Sequence, residues 1–415
     1  MTTIAKSFCK KQAQSESISD YGRYTIALYD TIEDIEEEWA LVSAAHDIFF
    51  SNDFLRCIER CPATGIKPYY AIVKEKNTPV GIIYFQSKYV KLKENLRKPG
   101  IEPKTMMQKL TDPIRHAVVS AINFETIVCG NLLLTGDYGF YFKDHIDRNE
   151  QFYIVIKAAH KLQLVLKNQD KEPGLILIKD FYADQTPIEG EYHQGFTKFS
   201  VQPKMILTLN PAWKTMDDYM ESLKSKYRVR ARKALEKSKH ITKKVFEIDD
   251  IAQHRDTIHA LYKNVSDQAD FNAFVLHPQY FENLKHAFGH NMTFTTYWKD
   301  EVMIAFFTSI KNYDVLDAHF LGYDPNLNAE YQLYLNMLYD LTEEGIRKRV
   351  RSVDMSRTAV EIKSTVGAVP HEMYLYLRHT NHVINKTVDS ILSFVKPEAD
   401  FVIRSPFREN EDIAK

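Results

Sequence analysis

Two stretches decide the fold: Lys74-Glu75-Lys76-Asn77-Thr78-Pro79-Val80-Gly81-Ile82-Ile83 and Trp298-Lys299-Asp300-Glu301-Val302-Met303-Ile304-Ala305-Phe306. Each reads as two strands folded back through a short polar turn, with a small residue, Gly81 or Ala305, just beyond it. Apolar strand-like runs flank both, over residues 69–74 and 80–87 in the first and 294–298 and 302–310 in the second.

The order of elements around each hairpin is comparable. Before the first lie a strand at 24–29, a helix capped by Asp30 or Thr31 that runs through Ile35 and Trp39, and a helix at 53–61 stopped by Pro62. After it come strands near 126–129 and 132–134. A helix at 150–166 follows, with Ile154, Ile156, Ala159, Leu162 and Leu166 at helical spacing, then a strand at 174–179. Before the second hairpin the pattern predicts a strand at 205–209, a helix from 215 to 238, a strand at 245–248 and helices at 254–265 and 278–288. After it come a strand at 315–323, a helix at 331–344 closed by Gly345, a strand at 351–355 and a helical turn at 359–365. The recurrence implies a duplicated α/β (α+β) unit joined near Gln202-Pro203-Lys204. The expected division is a polar, disordered lead-in at 1–20, one unit at 21–202, a second at 203–385 that holds the cleft, and an extension at 386–415. The basic, irregular stretch from Lys88 to about Pro113 is either a mobile loop over a site or a solvated insertion.

Composition narrows the function. The chain has 415 residues, 44% of them hydrophobic, enough for two cored units. Its 24 Tyr and 24 Phe suit large apolar pockets or ample cores. With 54 basic against 55 acidic side chains, attraction to nucleic acid or membrane can come only from local patches. The four cysteines, Cys9, Cys57, Cys61 and Cys129, are too scattered for a disulfide framework, and Cys57 and Cys61 read as buried thiols rather than metal ligands. No metal site is expected. No run reaches the ~20 apolar residues that span a bilayer, and the start of the chain lacks the apolar core of a signal peptide, so the cytoplasm is the expected location. There is no Gly-x-Ser-x-Gly or Walker loop, and no covalent nucleophile is indicated.

Three segments carry a resemblance. A hairpin, a strand ending in Gly322-Tyr323-Asp324 and a helix is one. Val353-Asp354-Met355-Ser356-Arg357-Thr358, followed by Ile362-Lys363-Ser364-Thr365-Val366-Gly367-Ala368-Val369-Pro370, is the second. The basic helix Tyr219-Met220-Glu221-Ser222-Leu223-Lys224-Ser225-Lys226-Tyr227-Arg228-Val229-Arg230-Ala231-Arg232-Lys233-Ala234 is the third. Together they resemble GNAT acyltransferases, and within them the FemAB-like and BioF2-like proteins. The likeness runs over residues 205–377 and only loosely over the first half. It implies two tandem GNAT-like domains, each a mixed sheet flanked by helices. It further implies transfer of an acyl or aminoacyl group from an activated donor to an amine, in FemAB-like proteins in cell-envelope peptidoglycan or lipid synthesis. The donor, a co-substrate rather than a tightly held cofactor, would be acyl-CoA, an acyl-carrier protein or aminoacyl-tRNA. One departure stands out. The stretch at 322–330, where many GNAT enzymes grip the CoA pyrophosphate with a Gly-rich loop, has one Gly and two acids that repel phosphate.

On that resemblance Arg357 and Lys363 are the expected catalytic pair, Arg as a fork for carboxylate or phosphate and Lys as a point charge for an oxyanion. His319, on the strand central to such a cleft, is a candidate base or a core histidine. Asp317 shares its face and can bind a common ligand. Asp354 is a supporting residue expected to face away within its strand, and Ser364 lies beside Lys363. Tyr323, Tyr331 and Tyr334 would gather at the strand end, with Tyr331 and Tyr334 on one helix face. Lys226, Arg228 and Arg230 head a run of unbalanced positive charge that is either a solvated face or the seat of an anionic donor. A rival reading is a non-catalytic module on the same scaffold that binds an anionic polymer such as tRNA.

Overall fold

In the computed structural model, which describes residues 23–43, 47–91, 123–187, 194–268, 274–388 and 401–408, the two quoted stretches are hairpins of one sheet. The first joins β2 (Ile66–Glu75) to β3 (Thr78–Lys91) through Lys76 and Asn77, both at positive φ. The second joins β9 (Met292–Lys299) to β10 (Val302–Asn312) through Asp300. Both carry a bulge at the same step: Val80 before Gly81 and Ile304 before Ala305 are left out of the strand register.

The remaining strands are β1 (Tyr24–Tyr29), β4 (Asn123–Cys129), β5 (Phe140–Phe142), β6 (Pro173–Tyr182), β7 (Thr197–Thr208), β8 (Thr242–Val245), β11 (Val315–Tyr323), β12 (Ser352–Asp354) and β13 (Val369–His379). Their order is β1-β2-β3-β4-β6-β13-β7-β12-β11-β10-β9-β8, with β5 paired to β3. From the β1 edge inward the pairing is antiparallel up to β4, parallel for β4–β6 and antiparallel for β6–β13. From the β8 edge it is antiparallel up to β11, parallel for β11–β12 and antiparallel for β12–β7. The two series meet where β13 pairs with β7. The pattern therefore reads the same from either edge, as a duplicated unit requires.

Twelve α-helices are described: α1 (Glu36–Ser43), α2 (Asn52–Arg60), α3 (Arg148–Lys167), α4 (Met216–Ser222), α5 (Ser225–Lys237), α6 (Ile248–Gln253), α7 (Arg255–Ser266), α8 (Tyr280–Phe288), α9 (Pro325–Tyr331), α10 (Leu333–Arg347), α11 (Val360–Ser364) and α12 (His382–Asn385). One core joins the halves: Trp39, Phe50 and Phe54 pack in a single cluster with Tyr280, Phe281 and Phe306, and the Phe54 and Phe288 rings stack at 5.3 Å. Burying each such ring contributes about 1.5–3 kcal/mol. A second core seats α4, α5 and α10 on β7 and β10, and a third seats α3 on the first half's strands.

Several expected boundaries move, each for a local reason. The helix expected from 215 to 238 is two helices. Leu223 and Lys224 are extended between them because residues 401–408 cross there, with Leu223 bridged to Phe407 and the Lys224 N–H donating to the Pro406 carbonyl. The helix expected at 331–344 begins earlier, at Pro325 behind an Asp324 cap, and breaks at Gln332 in the left-handed region. Tyr331 and Tyr334 thus stand on different helices rather than one face. Gly345 lies inside α10 instead of closing it, pressed against Val353 and Leu209. The strand expected at 245–248 ends at Val245, because Glu247 and Asp250 form a capping box that starts α6. Residues 132–134 form a turn rather than a strand. β13 was not anticipated, and the expected division at 202/203 falls inside β7. Residues 1–20 and most of the stretch from Lys88 to Pro113 lie outside the described residues, as does much of 386–415.

Candidate functional site

The site forms where β11 and β12 part. They pair in parallel through Val315–Ser352, Leu316–Val353 and Asp317–Asp354, and there the pairing stops while β11 runs on to Tyr323. Asp317 and Asp354 are therefore neighbours at the mouth of the split. Just beyond, β11 bulges: Phe307 faces Leu321 and Ser309 faces Ala318, so Thr308 alone opposes His319 and Phe320. The Thr308 hydroxyl mends the gap, accepting from the Phe320 N–H at 3.0 Å and donating to the Phe320 carbonyl at 2.9 Å. A bulge re-aims the residues beside it. Here Asp317, Ala318 and His319 all line one pocket, with Asp354, Ser356, Thr135 and the apolar walls Phe49, Leu133, Leu134 and Tyr138.

The charges at this pocket are unusually crowded for a buried place. Asp354 is 4% exposed, pairs with the Lys204 ammonium and accepts from the Ser356 N–H at 2.8 Å. It faces into the pocket, contrary to the expectation that it faces away, because the strand ends at this residue. Asp317, 7% exposed, has an Oδ2 with no hydrogen-bond donor among the described residues. Burial, and then the facing Asp354 carboxylate, drive its pKa well above the usual carboxylate range, which favours its protonated form. For Lys204, burial opposes the charge but Asp354 outweighs it, and its pKa is raised. Asp47, from the first half, accepts from Asn312 Nδ2 at 2.8 Å and from the Phe49 N–H at 2.8 Å; burial lifts it to about 6 against those hydrogen bonds.

His319 joins Asp317 on the wall, and its Nε2 lies 2.7 Å from the Tyr280 hydroxyl. Burial lowers its pKa to about 3, so it is neutral at ordinary pH and a weak base. Arg357 and Lys363 are not among the lining residues. Arg357 reaches back to Asp180, and its carbonyl accepts from Lys363 Nζ at 2.5 Å. Burial lowers the Lys363 pKa to about 7, with Asp354 opposing. Ser364 is buried, its hydroxyl donating to the Glu361 carbonyl and accepting from the Arg404 N–H. The Tyr323 and Tyr334 rings lie 6.4 Å apart, and Lys299 Nζ sits over the Tyr331 ring, all at the α9–α10 corner rather than on the pocket wall.

At that corner the Tyr334 N–H, in the first turn of α10, donates to Asn328 Oδ1 at 3.0 Å, so one amide that could meet a phosphate is already engaged. Alongside, α5 exposes Lys226, Arg230, Arg232 and Lys233, while Arg228 is half-buried. Glu236 is the one acid on α5, and it pairs with Lys239. The sequence reading missed Lys204, Asp47, Lys179 and Asp180. The last two had a signal: adjacent charges inside the apolar run Leu175-Ile176-Leu177-Ile178-Lys179-Asp180-Phe181.

Residues 225–364, from the start of α5 to the end of α11, match the family described as acetyltransferase (GNAT) domain. No curated protein matches the sequence. Among solved structures the chain is similar to FemX, at a TM-score of 0.47 and 11% identity over 88% of this chain and 99% of that one. It is also similar to the C-terminal domain of a putative lysylphosphatidylglycerol synthetase from Agrobacterium fabrum (TM-score 0.46, 9% identity, 90% and 100% covered). A third is a tandem GNAT protein from the clavulanic acid biosynthesis pathway (0.47, 8%, 86% and 99%).

Proposed function

With a GNAT acetyltransferase domain over residues 225–364 as the premise, we propose that the chain transfers an acyl or aminoacyl group from an anionic donor to an amine at the Asp317–Asp354 pair. One observation carries this reading: two carboxylates side by side at the mouth of the β11–β12 split, one of them with an oxygen that has no donor among the described residues. An incoming ammonium supplies donors to that oxygen. Its positive charge favours ionised Asp317, whose proton passes to solvent, and the carboxylate so formed accepts a proton from the ammonium. The free amine attacks the acyl carbonyl, the C–N bond forms, and the bond to the leaving thiolate or alkoxide breaks. The leaving group takes up one proton and the nitrogen loses a second. His319, held by Tyr280, shapes the wall. Lys363 fixes the Arg357 carbonyl rather than touching the substrate.

The exposed charges of α5 favour a donor with phosphates, acyl-CoA or aminoacyl-tRNA. The test is transfer to a panel of primary amines from both donors, with products read by mass spectrometry. Wild type should give a product, and Asp317→Asn should lower turnover about 100-fold or more while the fold is kept. Turnover in Asp317→Asn equal to wild type would sink the assignment. The α5 charges also support a second reading, a module that only binds a polyanion. No product from any donor, together with salt-dependent tRNA binding lost in Arg228→Glu/Arg230→Glu, would establish that one instead.

A further inference from the structure

The transfer reaction leaves unused a buried ion cluster in the first half, and both loops at the pocket's rim lead back to it. β6 and β13 pair through Ile178–Tyr376 and Phe181–Tyr374, so Lys179 and Asp180 together oppose Leu375 alone. This bulge, with Asp180 at φ 69°, turns two successive charged side chains inward. Lys179 Nζ donates to the Asn131 and Leu134 carbonyls, each at 2.8 Å, and pairs with Asp180 Oδ2 at 2.5 Å. Asp180 is fully buried; its Oδ2 also accepts from the Gly136 N–H at 3.1 Å, and its Oδ1 accepts from Arg357 Nη2.

Residues 131–136 supply Leu133, Leu134 and Thr135 to the pocket, and the loop after Asp354 supplies Ser356. The Ser356 hydroxyl donates to Thr135 Oγ1 at 3.1 Å, closing the rim. Ser356, Thr358 and Ala359 all lie in the left-handed region, at φ 60°, 66° and 48°. A residue held there is strained and persists only where its surroundings hold it. Arg357, in the middle of this strained run, is anchored by its side chain to Asp180, and its carbonyl receives Lys363.

We propose that Asp180, in the first half, is a positioning residue for the pocket in the second. One carboxylate sets both rim loops and, through Arg357, the place of Lys363. The catalytic part of this proposal rests on the transfer reading above; the positional part stands apart from it. Burial works against the Asp180 charge, but Lys179 and then Arg357 overcome it and hold the carboxyl below its usual range, so the anchor stays charged.

The experiment is competitive acetylation of the full-length protein with acetic anhydride, comparing wild type, Asp180→Asn and Arg357→Met by mass spectrometry at two lysines. Lys285 serves as the internal control, since it is buried on α8 and donates to the Met292 carbonyl at 2.9 Å. Losing a charge-assisted anchor should speed labelling of Lys363 about tenfold or more in both variants, with Lys285 within about twofold of wild type. Asp180→Glu should recover part of the protection. Unchanged Lys363 labelling in Asp180→Asn overturns the proposal, as does Lys285 rising in step with Lys363, which would make Asp180 a support of the fold alone. Should Asp180→Asn not fold, Arg357→Met carries the test. Absence of any transfer product removes the catalytic part and leaves the labelling result to decide the positional one.

Discussion

Burial, and then a facing carboxylate, make a carboxyl hold its proton more tightly, and both raise the pKa of Asp317 beside Asp354. Asp47 shows the same physics in milder form and gives a stability test. Its folded-state pKa of about 6 lies above the usual 3.8, so its contribution to stability is intact below pH 3.8 and is lost as pH rises through 6. Urea unfolding of wild type and Asp47→Asn should therefore diverge in the variant's favour from pH 4 to pH 8, by on the order of 2–3 kcal/mol. A constant difference across that range would mean Asp47 ionises freely in the folded chain. At this scale the sequence was partly legible. Alternation put Asp317 and His319 on one face, and both line the pocket; Asp354 lines it too, although alternation turned it away. Lys204 could not be named, because a split between strands leaves no periodic trace; Asp180 was marked only as one of two adjacent charges in an apolar run, and the bulge that buries it leaves no trace of its own.

Elements show why boundaries were harder than identities. Both hairpins were legible because turn residues and apolar alternation agree over many positions. The break between α4 and α5 was not, since its cause, residues 401–408, lies some 180 positions away in the chain. Gly345 misled in a similar way: a glycine near a helix end usually marks its close, whereas here it makes room inside α10. A Cβ there would sit 2.6 Å from Val353 Cγ2 and 3.0 Å from Leu209 Cδ1. Ala normally improves a helix interior over Gly by about 1 kcal/mol. Gly345→Ala should do the reverse, lowering the urea-derived stability by about 1–3 kcal/mol through overpacking. A gain in stability would show that α10 can shift away from β12.

Taken whole, the molecule repeats a unit, and the two copies interleave in one sheet. β13, from the second half, lies between β6 and β7, and the largest apolar cluster draws on α1 and α2 as well as α7 and α8. A fragment of residues 1–196 should therefore lack a cooperative thermal transition in calorimetry, whereas the full chain should show one. A sharp transition in the fragment would mean that the first half completes its sheet unaided. The duplication itself was legible from the order of elements. The interleaving was not, because pairing between strands far apart in sequence is set by the assembled sheet.

The slot that β13 fills also imposes a timetable on synthesis. β6 and β7 each pair antiparallel with β13, so they run in the same direction with a one-strand gap between them. A ribosome adding roughly 5–20 residues per second needs on the order of 10–40 seconds to travel from the end of β6 to the end of β13. From the completion of β7 until β13 arrives, the nascent chain carries an unpaired strand edge on each side of the gap, open to chaperones and to neighbouring polysomes.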